Sequence, residues 1–229
     1  MGFDRTIICL AASRKPGGRC IAGKDMVSGE WVRPVSARPT HEISLIDRRY
    51  IDGSEPQLRD LITIRMLEEA PNGHQVENEM IDAEAYWTRT GVASWRLLTG
   101  LVDAPETLWT SGYSSRFGQG DKVPAALAAT MRSSLAFVRP QRLQMRVLQP
   151  NAEYGSSKRV VRGKFIYNDV YYDFKVTDPV TEAKCLARPD GEFFVERESY
   201  LTVSLGEVFT DGYAYKLIAG IFTEDGTLE

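Results

Sequence analysis

A mostly β protein with a minor α part, built as two small barrels joined by a helical connector, is what three features of this sequence predict. Short apolar or alternating runs recur, each bounded by Gly, Pro, Asn or Asp, and no βαβ rhythm links them. Helix-prone texture is confined to the middle of the chain. A strand–turn–strand pattern in Ile7–Ser36 returns in Arg162–Pro179, again ending on a polar signature that contains proline. The expected modules are residues 1–82 and 135–229, with a mainly helical segment at 83–134.

Within the first module, Thr6–Ala11 is apolar enough to be a strand buried on both faces. A basic, glycine-rich bend follows (Ser13–Arg19), then strands at Cys20–Lys24 and Trp31–Val35, joined by a loop containing Ser28-Gly29. Pro34 donates nothing to a ladder, so its strand ends or lies at an edge there. Asp60–Leu67 is a further strand, closed by the turn Pro71-Asn72-Gly73.

The texture changes after Met80. Val92, Trp95, Leu98 and Leu101 recur at helical spacing, and Asp103-Ala104-Pro105-Glu106 reads as a helix start with Asp as N-cap. A Gly- and Ser-rich loop (Tyr113–Lys122) precedes a helix-prone stretch, Pro124–Arg132.

In the second module, Gln141–Gln149 alternates, with Leu143, Met145 and Val147 on one face and Arg142, Gln144 and Arg146 on the other. Strands are expected at Lys158–Tyr167, Tyr171–Thr177, Phe193–Glu198, Tyr200–Leu205 and Tyr213–Phe222, with Arg162 and Lys164 sharing a face. Five or six short strands per module point to small barrels rather than a parallel sheet.

Composition sets limits on function. Net charge is −3, so bulk charge demands no polyanionic partner. Its distribution is uneven: residues 131–164 carry eight basic side chains against one acidic, and residues 165–229 carry five against thirteen. The basic segment is either an anion-binding surface or a strip neutralised by the acidic segment folding against it. Cys9, Cys20 and Cys185 show no metal spacing, and their odd number argues against a disulfide framework, which fits buried thiols in a reducing cytoplasm. No apolar run is long enough for a transmembrane helix, and the N-terminus lacks the pattern of a signal peptide. No metal, cofactor or membrane partner is expected.

Several motifs together resemble one family. CLAxSRKxGGRCIAGK (Cys9–Lys24), WVRPVSxR (Trp31–Arg38), Glu77-Asn78, VTDP (Val176–Pro179) and VSLGE…GYAYKLIAGI (Val203–Ile221) are similar to bacterial dual OB-containing domain proteins over nearly the whole chain. The resemblance implies two OB-like barrels and little about activity. OB barrels often bind single-stranded nucleic acid or oligosaccharide, so binding is expected by fold analogy.

The candidate nucleic-acid-binding residues follow from charge and spacing. In the bend, Ser13, Arg14, Lys15 and Arg19 flank paired glycines whose N–H groups can approach an anion. The GK[ST] of a nucleotide-hydrolase loop is absent and a strand follows, so the alternative is a tight turn with solvated charges. Lys24, Trp31, Arg33 and Arg38 extend the set, with Trp31 and Arg33 sharing a strand face as a stacking ring and a phosphate partner, or as a core residue beside a paired cation. Arg142, Arg146, Arg162 and Lys164 form a basic ribbon or an ordinary solvated face.

Asp178 and Glu182 near the TDP turn are candidate metal or acid/base groups, or a turn capping the next segment. His41 and His74 have no neighbours at metal or triad spacing. The expected function is therefore non-catalytic binding of single-stranded DNA or RNA in the cytoplasm. The rivals are a protein–protein adaptor and a nucleotide- or nucleic-acid-processing enzyme with an acidic site near Asp178.

Overall fold

The computed structural model describes residues 2–228, of which 47% of the chain is strand and 10% helix. Two compact units emerge: the residues up to Val102 with Arg132–Ser134, and Asp103–Met131 with Leu135 onward.

The first unit is a closed five-stranded barrel. Its strands are β1 (Phe3–Lys15), β2 (Gly18–Asp25), β3 (Trp31–Val35), β4 (Asp60–Glu69) and β5 (Asn78–Ile81). They pair in the order β1-β2-β3-β5-β4, and a β1–β4 ladder closes the ring. One strand serves both seams because β1 is long and bent. Its first half, Phe3–Ile8, pairs with β4, and its second half with β2, with a register shift between Cys9 and Ala11.

Gly23 lies opposite Cys9 at that bend, where an added Cβ would run into the Ile8 carbonyl; only glycine allows so close an approach. The barrel is filled by Ile7, Cys9, Ile21, Val32, Ile62, Ile64, Met66, Ile81 and Trp87. A short helix α1 (Leu45–Arg48), β6 (Thr88–Val92) on the flank of β4, and α2 (Trp95–Thr99) complete this unit.

The second unit repeats the plan with one alteration. It contains β7 (Lys122–Pro124), α3 (Ala125–Ala128), β8 (Leu135–Val138), β9 (Gln141–Leu148), β10 (Val160–Tyr167), β11 (Val170–Val176), α4 (Pro179–Leu186), β12 (Gly191–Phe194), β13 (Ser199–Val208) and β14 (Tyr213–Thr223). The sheet runs β12-β9-β10-β11-β14-β13-β8, with β7 beside β14. As in the first unit, one parallel pair, β11–β14, interrupts otherwise antiparallel ladders.

Only Arg139 and Pro140 separate β8, which pairs with β13, from β9, which pairs with β10. The two segments divide between them the role of β1, and proline marks the break because it cannot donate to either ladder. Side chains from β8, β9, β10, β11, β13 and β14 fill one core, among them Val138, Met145, Phe165, Phe174, Val203 and Ile218. The sheet therefore wraps a single interior.

The middle of the chain departs from expectation. Residues 83–134 hold two helices of five and four residues, α2 and α3, together with β6 and β7. The helical periodicity from Val92 marks a residue that ends β6, and α2 starts only after Ser94, whose hydroxyl accepts from Leu97 N. No helix begins at Asp103. That residue instead mimics a ladder partner: its N–H donates to Phe137 O at 2.6 Å and its carboxylate accepts from Phe137 N at 2.8 Å.

The longest helix, α4, lies where only a capped turn was expected. Asp178 is its N-cap, accepting from Val180 N, Thr181 N and Thr181 Oγ1, and Pro179 follows at the first helical position. The planned strand at Phe193–Glu198 stops at Phe194. None of the three cysteines is in a disulfide, and burial pushes the Cys185 thiol up to about 11. No helix among the described residues is long and apolar enough to cross a membrane.

Candidate functional site

The basic bend of the first unit is a two-residue hairpin. Lys15 pairs with Gly18, Pro16 and Gly17 take the corners, and Gly17 has φ +81°, as a type II turn requires at its third position. Arg14 lies directly opposite Arg19 on the two strands, and Ser13 opposite Cys20. A carboxylate faces the turn: a Cβ on Gly17 would sit 3.2 Å from Glu42 Oε1.

The rest of the first-unit set finds partners within the unit. Lys24 is buried, donates from Nζ to Leu101 O at 2.7 Å, and lies 5.6 Å from the ring centre of its cross-strand neighbour Trp31. Arg33 is 2% exposed; its Nη2 is 3.0 Å from Glu77 Oε1 and donates to Ser134 Oγ at 2.8 Å. Arg38 grips Asp47, the residue that completes the capping box of α1.

In the second unit, Arg146 and Arg162 sit opposite each other on β9 and β10 and converge on Asp173. Arg162 Nε donates to Asp173 Oδ1 at 2.6 Å, Arg162 Nη2 to Asp121 Oδ2 at 2.8 Å, and Arg146 Nη1 is 3.6 Å from Asp173 Oδ2. Alternation did place Arg162 on the polar face, yet that face is covered. The Gly- and Ser-rich loop that precedes β7 lies across it, carrying Asp121 and packing Gly118 so tightly that any Cβ would overlap both Asp121 and Arg162. Lys164 pairs with Glu192 on β12. The basic ribbon is thus an internal ion-pair cluster over most of its length.

Beside this cluster, Lys216 is 1% exposed and its Nζ has no hydrogen-bond partner among the described residues. It lies 5.6 and 5.7 Å from the ring centres of Tyr172 and Phe174, and burial pushes its ammonium down to about 8 against a partial opposing pull from Asp121.

A cleft opens in the second unit where its first strand breaks. The cleft, of about 540 Å³, lies between Arg139–Leu143 on one side and Phe194–Ser199 on the other. Between Gln141 and Gln144, β9 takes three steps while β10 takes two, from Ile166 to Lys164, so β9 carries a bulge. Within it Arg142 has φ +51°, a left-handed conformation that bulges normally assign to glycine.

Two cations of the cleft are neutralised, Arg139 by Glu198 at 2.9 Å and Arg197 by Asp225 at 3.0 Å. The side chains of Arg142 and Glu196 have no hydrogen bond or ion pair with any described residue, and the ring of Phe194 is 44% exposed. Of the twelve residues picked from the sequence, the cleft uses only Arg142. Phe194 and Glu196 were read simply as strand; the aromatic–acid alternation FFVERE beside a proline-broken basic strand was the signal available.

Asp178 is engaged as a helix cap, which accounts for its buried carboxylate without chemistry. Among the described residues no three His, Cys, Asp or Glu side chains gather to hold a metal. A family model described as a dual OB-containing domain matches residues 5–221. No curated protein and no solved structure matches the chain.

Proposed function

Because the chain belongs to the dual OB-containing domain family, we propose that it binds single-stranded nucleic acid without acting on it, at the cleft beside the broken strand of the second barrel. The observation that carries this reading is Arg142. A non-glycine residue held at φ +51° in a bulge costs stability of order 1–2 kcal/mol, and such strain concentrates at functional positions. Here it aims an unpaired guanidinium into an open cleft beside an exposed aromatic ring, the pairing that single-strand binders use for phosphate and base. The family supplies the prior, since OB barrels commonly bind nucleic acid, and the cleft supplies the place.

The neutralised ribbon limits how electrostatic the interaction is. With Arg162, Lys164, Arg139 and Arg197 each in an ion pair, few counterions are released on binding, so the salt dependence is shallow. The test is fluorescence anisotropy with a labelled mixed-sequence single strand at low salt. Wild type should bind, and Arg142→Ala should weaken binding roughly tenfold, as loss of one charged contact does. No binding at low salt would overturn the proposal. In that event the same neutralisation favours the second reading, a protein partner docking on paired charges.

A further inference from the structure

We infer that Glu196 reads the base bound in this cleft, selecting bases with adjacent hydrogen-bond donors, guanine above all, against thymine and uracil; the inference rests on the nucleic-acid reading above. Three exposed side chains line the same cleft, and they differ in chemistry: a guanidinium, a ring face and a carboxylate. Their placement follows from the strand register. The β12–β9 ladder pairs Phe194 with Gln144, and Val195 N then donates to Leu143 O at 2.9 Å, so the pairing continues one residue beyond β12. Another step brings Glu196 opposite Arg142. Val195 is buried while Phe194 and Glu196 are exposed, so these two project from the same side of the segment, two residues apart.

Opposite charges facing each other across a ladder normally pair. Arg142 and Glu196 do not, because the bulge and left-handed backbone at Arg142 turn its side chain out of register. Both therefore keep their hydrogen-bonding capacity for a ligand. A nucleotide matches this arrangement group for group: phosphate on Arg142, base plane on Phe194, and base edge on Glu196.

The carboxylate sets the preference. An ionised Glu only accepts, so it favours edges rich in N–H. Guanine offers N1–H and the N2 amino group side by side, a bidentate match, and cytosine and adenine offer one amino group each. Thymine and uracil offer a single N3–H between two carbonyl oxygens that repel the carboxylate. The same negative charge also disfavours a dense run of phosphates through the cleft, which suits one nucleotide seated at a time.

The experiment measures binding of the full chain to labelled oligo(dT), oligo(dC), oligo(dA) and an alternating d(GT) strand, for wild type and Glu196→Gln. Wild type should bind d(GT) about tenfold tighter than oligo(dT), with oligo(dC) and oligo(dA) between. Glu196→Gln should collapse that spread to about twofold while leaving oligo(dT) affinity equal or improved.

Equal binding of all four strands by wild type overturns base reading and leaves the nucleic-acid proposal standing. A uniform gain across the strands in Glu196→Gln shows the carboxylate to be only a repeller, and a uniform loss shows it to act only through Arg142; either result overturns the inference. No binding to any strand removes both readings together.

Discussion

The two units share a strand plan and differ in how their first strand turns the corner. In the first unit β1 bends without breaking, Gly23 allows the close approach there, and the left-handed residue beside the bend is Arg59 at φ +76°, whose backbone N–H donates to Cys9 O and whose guanidinium donates to Ala93 O. In the second unit the same strand is cut by Arg139-Pro140, and the left-handed position beyond the cut belongs to Arg142. Where only geometry is at stake, glycine is the low-strain residue. Arg59 spends its guanidinium on the Ala93 carbonyl, whereas Arg142 stands beside a cleft without an ion pair among the described residues, which is why the proposed site is placed at the second corner. The difference teaches that one strand plan can leave a corner's arginine either engaged or available, while the basic bend of the first unit faces the Glu42 carboxylate.

Removing the centre of the second unit's ion-pair cluster should have the largest effect. Arg162→Ala leaves Asp121 and Asp173 buried without their main cation and should cost about 3–5 kcal/mol in urea unfolding, well above any change at the exposed corner. A loss below about 1 kcal/mol would mean that the covering loop does not bury these groups in solution.

Lys216→Met should stabilise the second unit by about 3 kcal/mol at pH 7. The folded ammonium has its pKa depressed to about 8 against 10.5 unfolded, so below 8 both states are charged and the folded state bears the full burial penalty. As pH rises from 8 to 10.5 the unfolded chain holds more protons, and wild-type stability climbs. The gap between Lys216→Met and wild type should therefore close toward pH 10.5, which unfolding curves across that range will show.

In the hairpin turn between β1 and β2, Gly17→Ala should cost about 1–2 kcal/mol, since the backbone is left-handed and the new Cβ approaches Glu42. The smallest expected effect is Lys164→Ala, an ion pair with the partly exposed Glu192, at under about 1 kcal/mol by thermal unfolding.

Local pattern made much of this architecture legible in the sequence. β3 was bounded correctly from Trp31 to Val35, and the alternation of β9 put Leu143, Met145 and Val147 in the core. The family resemblance implied two OB-like barrels, and the strand order itself came only from the structure.

What stayed hidden depended on distant packing. Arg162 and Arg146 looked like an exposed ribbon because nothing local says that a loop some forty residues upstream, carrying Asp121, lies across them. Asp103 looked like a helix cap because its side chain satisfies a strand N–H as readily as a helical one. Arg142 was visible as a charge and not as a bulge, because a left-handed backbone at a non-glycine residue leaves no compositional trace. Glu196 and Phe194 gained their meaning only from the register that sets them against it.

The most direct test combines stability and binding in one variant, Arg142→Gly. Glycine suits φ +51°, so the variant should gain about 1 kcal/mol in unfolding free energy while losing roughly tenfold in affinity for single strands. A variant that is more stable and binds as well as wild type, or one that loses stability, would contradict the assignment of this corner as a strained binding site.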